Sequence, residues 1–390
     1  MYTFKTFNNI SEQALSLLSS SAFQYDDDQP DAILLRSHNL NIDDFGERLK
    51  SIARAGAGFN NIPIDIATQK GIVVFNTPGA NSNAVKELVL CGMLLSSRGI
   101  IQGNVFAKSL IDKKESEINK LMEKEKKNFK GNELKGKVLG IIGLGSVGSL
   151  LAQAASILDM KIIGYDPYIS IDSAWMLPKE VEKSETLEFL FSNSDYISLH
   201  VPLSDNTKNL ISKKLLDLVK EDAKLINLSR GGIVNNIDII NALNSKKLTS
   251  YVTDFPTPEL IKRSVNYGDV ILLPHLGAST KEAEINCSIL AAEQTKNYLE
   301  NGLITNSVNF PNVKLSRTSK FRIVIVHKDE PGIIGTITSA IAKNNLNISD
   351  MINKSRNEIA VTLIDINDNP PEDLLKKIQD TENVIKVRVC

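Results

Sequence analysis

Residues 137–167 read KVLGIIGLGSVGSLLAQAASILDMKIIGYDP. The run VLGII has the length and β-branched content of a strand buried on both faces, and the apolar residues after Gly148 recur at helical spacing. Between them three glycines have separate tasks. Gly143 permits the tight turn, Gly145 lets the backbone approach a pyrophosphate, and Gly148 permits close packing of helix on strand. Ser146 and Val147 open that helix, whose N-terminus attracts negative charge. Asp166, 18 residues beyond Gly148, ends the next strand. A carboxylate there accepts from the adenosine ribose hydroxyls and repels a 2′-phosphate. The stretch predicts a doubly wound parallel sheet that binds NAD rather than NADP.

Downstream, DYISLHVP, AKLINLS, YVTDF and DVILLP continue the strand-like runs, each followed by a turn or a helical pattern. His200, Val201 and Pro202 end one strand and flank the adenine, with a plain core role as the alternative for His200. Leu228 and Ser229 lead into Arg230, at the carboxyl edge where ligands bind in such sheets. Arginine grips a carboxylate with two parallel hydrogen bonds. His275, in ILLPHLGAST, follows another strand and titrates in the range of acid–base work. Glu259, in DFPTPEL, is the expected carboxylate partner that raises its pKa.

Upstream, residues 1–92 alternate short apolar runs with helical segments and predict a second parallel sheet. Residues 101–130 crowd charge into KKESEINKLMEKEKKNFK, with apolar residues at helical spacing, and predict an amphipathic arm. A long helix after Ser279 leads to NSVNFPNVKLSRTSK, a linker by its Asn, Pro and Ser content. The tail then reads strand, helix, strand, strand, helix, strand, the ferredoxin-like order. The expected domains are 1–92 with 283–312, then 93–282, then 319–390.

Among 390 residues, 45 basic side chains face 46 acidic ones, so no global field draws nucleic acid or an anionic membrane. Three cysteines lie far apart without metal or disulfide spacing, and no metal site is expected. MYTFKTFNNISEQALSLL lacks a basic segment followed by an apolar core, and the expected location is the cytoplasm.

RAGAGFNNI, NTPGANSNAVKELV, ELKGKVLGIIGLGSVG, GYDP, HVPL, INLSRGGIVN, DFPTPE and PHLGAST together resemble the D-isomer-specific 2-hydroxyacid dehydrogenase family. The resemblance implies a Rossmann nucleotide domain, a discontinuous flavodoxin-like substrate domain, and NAD as cofactor. It assigns carboxylate binding to Arg230, the histidine's partner to Glu259 and general acid–base work to His275. By the same resemblance Asp254 contacts the nicotinamide carboxamide, and Gly277 joins the cofactor set. The backbone amides of Gly56 and Ala57 meet the substrate carboxylate, with Arg54 and Asn81 as polar groups beside it. Arg36, Ser37 and Arg54 suit a phosphorylated substrate, so 3-phosphoglycerate is the expected one. The alternatives are a hydroxypyruvate or glyoxylate reductase and a dinucleotide-sensing binding protein. Relatives place Pro after the catalytic Glu, whereas here Pro258 precedes Glu259. The tail's HKDEPGIIG and NLNI resemble an ACT domain, implying L-serine as an allosteric effector held by His327, Asp329 and Asn347. The family further implies a homodimer or homotetramer.

Overall fold

The computed structural model describes residues 1–19 and 22–390. By internal contacts the chain divides into two compact units, Met1–Asn81 with Lys281–Cys390, and Ser82–Thr280.

The first sheet of the first unit contains β1 (Tyr2–Thr6), β2 (Phe23–Tyr25), β3 (Ala32–Leu35), β4 (Ser51–Arg54) and β5 (Val73–Phe75). All its pairings are parallel and the order is β2-β1-β3-β4-β5, the flavodoxin arrangement. AILL and VVF are buried throughout, as a parallel strand covered on both faces requires.

The second unit is built on a seven-stranded sheet: β6 (Val138–Ile142), β7 (Lys161–Tyr165), β8 (Val181–Lys183), β9 (Tyr196–Leu199), β10 (Ala223–Asn227), β11 (Leu248–Thr253) and β12 (Val270–Leu272). The order β12-β11-β10-β9-β6-β7-β8 is all parallel and doubly wound. Its direction reverses between β6 and β9, and the loops carrying Gly143 and His200 leave the carboxyl ends of those two strands. The helix Ser82–Ser97 is continuous through residue 92 and buries Val89 and Met93 in one cluster with Leu139, Ile141 and Ile226 of this unit. The expected arm forms two helices, Ile100–Lys108 and Glu115–Glu125, with Phe129 packed on Phe106 at 5.5 Å between ring centroids.

The tail adds an antiparallel sheet to the first unit: β13 (Phe321–Lys328), β14 (Ile348–Arg356), β15 (Ile359–Ile366) and β16 (Val384–Val389), in the order β14-β15-β13-β16. This is the expected ferredoxin-like topology. The period of two along β13 splits its side chains between two cores. Ile323 and Ile325 pack with Ile337, Ile341, Leu374 and Ile378 of the two tail helices. Val324 and Val326, with Val361 and Leu363, instead join Phe4, Tyr298 and Leu299. Each such burial contributes roughly 1.5–3 kcal/mol, so the tail shares a core with the rest of its unit. Gly302, just past the helix Lys281–Asn301, makes the approach possible: a Cβ there would stand 2.5 Å from Val324 Cγ2.

An ion pair with both side chains fully buried fixes the linker to this sheet. Arg322 Nε meets Asp365 Oδ1 at 2.5 Å and Nη2 meets Oδ2 at 2.8 Å. The same guanidinium donates to the carbonyls of Asn301, Leu315 and Ser316.

Candidate active site

The three glycines of the nucleotide loop have three different surroundings. Gly143 adopts φ +91°, and a Cβ there would meet the His200 carbonyl oxygen at 2.6 Å. A Cβ on Gly148 would lie 2.0 Å from the Gly143 carbonyl oxygen, so helix and turn pack only because it is absent. At Gly145 nothing lies within 4 Å of an added Cβ. That open face lies at the N-cap of the helix Ser146–Ile157, where free amides and the helix dipole favour a phosphate. Asp166 immediately follows β7. Its Oδ2 accepts from the Leu144 amide at 2.8 Å and its Oδ1 from Tyr168 N at 2.9 Å. The acid thus braces the glycine loop, and a carboxylate's remaining lone pairs can still accept.

His200 Nε2 lies 2.9 Å from the hydroxyl of buried Ser198, and burial pushes its imidazole down to about 4. The ring is therefore neutral at ordinary pH. Val201 Cγ1 stands over the Gly143 turn and Pro202 is exposed.

Asn227, fully buried at the end of β10, builds the turn that presents Arg230. Its Oδ1 accepts from the Ser229 amide at 3.2 Å and hydroxyl at 2.8 Å, while its Nδ2 donates to Arg230 O at 2.9 Å. Its signal in the sequence is a polar residue closing the apolar strand AKLIN. Arg230 is exposed and among the described residues commits only Nη1, to Ser229 O at 2.7 Å.

His275, Asp254, Phe255, Pro274 and Gly231 border a cavity of about 330 Å³. His275 has φ +52° and meets the edge of Phe255 at 5.2 Å between centroids, with the ring planes at 81°. Asp254 is 1% exposed; its Oδ2 accepts from Gly277 N at 3.1 Å. Burial pushes the Asp254 carboxyl up against the opposing pull of the Gly277 amide, His275 and Arg230. Its Oδ1 is buried without any partner among the described residues. An acceptor in that condition calls for a donor from outside the chain, and a carboxamide NH₂ supplies one. With the open face at Gly145, this shows that the residues fit NAD. The buried Leu228 carbonyl borders Gly277, 3.7 Å from where its Cβ would be.

Glu259 differs from expectation. It lies exposed in the first turn of the helix Pro258–Tyr267 and makes no hydrogen bond to His275 among the described residues. Its own amide and the Thr257 hydroxyl hold its carboxylate below the ordinary value. Pro258 is the reason: proline at a first helical position sets the next residue among the unpaired amides, where an acid is captured locally.

In the first unit Arg36 Nη2 pairs with Glu284 Oε1 at 2.8 Å, and the Ser37 amide donates to Asn8 Oδ1 at 3.1 Å. Arg54 Nε donates to Arg36 O at 3.0 Å, and its guanidinium lies over Gly58, whose Cβ would be 2.2 Å from Nη1. The Gly56 amide is spoken for, contrary to expectation: it donates to Thr77 Oγ1 at 2.8 Å. The Ala57 carbonyl accepts from Asn76 Nδ2 at 2.7 Å, and Asn81 is half-buried.

The tail does not gather its three expected residues. His327 is 1% exposed with both ring nitrogens engaged, Nδ1 with Lys328 O at 2.6 Å and Nε2 with Thr362 Oγ1 at 2.9 Å. Thr362 in turn donates to Asn353 Oδ1 at 2.9 Å. Asp329 and Asn347 are both exposed. Register places Asp329 beyond the Lys328–Ile359–Arg356 end of the sheet, and Asn347 beside Ile348 at the Phe321–Ile366 end. Among the described residues no group of three or more His, Cys, Asp or Glu is placed to hold a metal, and no helix is long and apolar enough to cross a membrane.

Comparison with known proteins agrees with this geometry. Residues 101–277 match the D-isomer specific 2-hydroxyacid dehydrogenase, NAD binding domain, and residues 321–383 match the ACT domain. A D-3-phosphoglycerate dehydrogenase of Escherichia coli is 32% identical over 352 residues, 88% of this chain and 82% of that protein. One from Methanocaldococcus jannaschii is 35% identical over 314 residues, 78% of this chain. The chain covers 56% of that protein and 51% of a Synechocystis relative, about half the length of each. Among solved structures, NAD⁺-bound 3-phosphoglycerate dehydrogenase of Entamoeba histolytica superposes with TM-score 0.62 at 27% identity, over 79% of this chain and 98% of that one. The chain belongs to the D-isomer specific 2-hydroxyacid dehydrogenases, and its second unit carries the family's NAD-binding domain.

Proposed function

We propose that the chain oxidises 3-phospho-D-glycerate to 3-phosphohydroxypyruvate, the step that leads toward L-serine. The observation that carries the chemistry is the grouping around Asp254, which feels the charge of both His275 and Arg230 and keeps one oxygen free for the cofactor. Bound NAD supplies the hydride acceptor. Arg230 holds the substrate carboxylate with the guanidinium donors that Ser229 leaves free. His275 takes the proton of the C2 hydroxyl, and in the reverse direction returns it to the carbonyl oxygen. Phe255 packs edge-on to the imidazole and limits its rotation.

Arg54, steered by the Arg36 carbonyl and the Gly58 backbone, is the cation assigned to the phosphate, with Arg36 available if its bond to Glu284 opens. The names of the Escherichia coli and Methanocaldococcus relatives support the same substrate. In the tail, L-serine is the assigned effector, with Asp329 accepting from its ammonium group and Asn347 of a second copy of the chain completing the site. The His327–Thr362–Asn353 chain then acts as support behind Asp329. A cytoplasmic homo-oligomer fits these roles.

The ratio of kcat/KM for 3-phospho-D-glycerate over D-glycerate tests the substrate. A preference of at least about 100-fold, reduced by Arg54→Ala, is expected from lost charge-assisted hydrogen bonds. Equal use of the two, or turnover confined to hydroxypyruvate and glyoxylate, would show a reductase of small keto acids instead.

A further inference from the structure

A second cavity, about 370 Å³, opens at the amino-terminal edge of the nucleotide sheet, the end opposite the glycine loop. Its floor is the start of β10, β11 and β12, represented by Lys224, Ser250 and Asp269. Its roof is the end of the helix Ser82–Ser97 and the chain returning from the arm. The return passes so closely that a Cβ on Gly131 would stand 1.9 Å from Ser97 O.

Lys224 is the unusual member. It is 6% exposed, yet its ammonium donates only to Asp222 O, at 3.0 Å, and otherwise lies 5.0 Å from the centroid of the Tyr196 ring. An ammonium has three donors, so two are unused among the described residues. The Tyr196 hydroxyl is taken by Ser97 at 2.8 Å. Burial pushes the Lys224 ammonium below its ordinary value, with Asp222 opposing.

Among the described residues no carboxylate forms an ion pair with it, although Asp222 and Asp195 attract it through space and Lys137 repels it. Asp195 is bound by Lys220 at 2.7 Å, and Asp269 by Arg263 through contacts of 2.9 and 2.5 Å. Asp222 borders the cavity but forms no ion pair with Lys224 among the described residues, while Arg98 and Lys130 at the rim are exposed cations without ion-pair partners there. Three cations thus face one uncommitted carboxylate. A buried charge normally has a partner, and removing that partner is costly. The missing member is an anion.

We propose that this cavity binds a small tetrahedral oxyanion of the phosphate class, held by the Lys224 ammonium with the Ser250 hydroxyl beside it and Arg98 and Lys130 at the entrance. The site is distinct from the positions assigned to cofactor and substrate, all of which lie outside its lining.

Two measurements on the full chain test it, with inorganic phosphate as the solution probe and selenate as the crystallographic one. In phosphate-free buffer Lys224→Met has a melting temperature equal to or above that of wild type, because an uncompensated buried charge has been removed. Added phosphate then raises the wild-type value more than that of Lys224→Met, which keeps only the part due to the positions assigned to cofactor and substrate, and Arg98→Ala, an exposed change, falls between the two. Crystals grown without phosphate or sulfate and soaked in selenate show an anomalous peak within hydrogen-bonding distance of Lys224 Nζ. Phosphate also meets the positions assigned to cofactor and substrate, so an equal phosphate response in wild type and Lys224→Met overturns the proposal. So does a Lys224→Met variant that is less stable without phosphate, since the lysine is then already satisfied by the protein. A selenate-free cavity, or one filled by a carboxylate of a second copy of the chain, overturns it as well.

Discussion

Replacing Asp365 by asparagine keeps the shape of the side chain and removes its charge, leaving the Arg322 guanidinium fully buried beside a neutral amide. Breaking one side of a buried pair costs about 3–5 kcal/mol, because the remaining ion has lost its compensation. Thr318 adds to the loss, since its amide at 2.8 Å and hydroxyl at 3.0 Å both donate to Asp365 Oδ2. Urea unfolding followed by far-ultraviolet circular dichroism reads the change as a midpoint lower by roughly 1–2 M. Burial opposes ionisation of Asp365, but Arg322 and Thr318 win and hold its carboxyl below the ordinary value. The contribution is therefore complete above the unfolded carboxyl's pKa of about 3.9 and fades as pH falls through the lower folded value. The double change Arg322→Met with Asp365→Leu recovers part of the loss. It leaves no buried charge, although the carbonyls of Asn301, Leu315 and Ser316 lose their donor. A single Asp365→Asn variant within about 1 kcal/mol of wild type would refute the reasoning, because only a hydrated pair is that weak.

Gly145→Ala folds normally, with nothing within 4 Å of the new methyl, but lowers NAD affinity, whereas Gly148→Ala meets the Gly143 carbonyl at 2.0 Å and loses both stability and cofactor binding; calorimetric titration with NAD beside thermal melts separates the two. Glu259→Gln keeps kcat within about threefold of wild type, since loss of a true acid–base partner has effects nearer 10²-fold, and steady-state kinetics decide it. Burial, together with Lys50, Arg388 and Lys70 and against Asp31, pushes Lys386 down to about 8 from 10.5. The unfolded chain keeps that proton to higher pH than the folded one, so the contribution of Lys386 to stability rises with pH between about 8 and 10.5, while the raised thiols of Cys287 and Cys390 act in the opposite direction. Across this window the urea midpoint of wild type rises relative to that of Lys386→Met.

What the sequence reveals here depends on how locally each feature is determined. The jobs of Gly143, Gly145 and Gly148 are legible because a turn and a helix start are set by a few adjacent residues, and the structure gives each glycine the surroundings that its place in the motif requires. Strand order is legible for the same kind of reason, since alternation of strand and helix permits few topologies. Glu259 is not beside His275 in this structure because Pro258 at the first helical position decides on which turn of the helix the acid lands. The partner of Arg36 lies 248 residues away at Glu284, and the pair Arg322 and Asp365 is joined only by strand pairing; neither has a local signal. His327 reads as a ligand in isolation and is a buried hydrogen-bonded residue once Thr362 is paired with Ile325, two residues before it.

NADH formation from 3-phospho-D-glycerate and NAD reads the proposed oxidation without intermediaries. Turnover by the wild-type chain is expected, with a fall in kcat of roughly 10²–10⁴ for His275→Asn, the span of a lost general base. An inert wild-type chain that still binds NAD, or a His275→Asn variant with undiminished turnover, would contradict it.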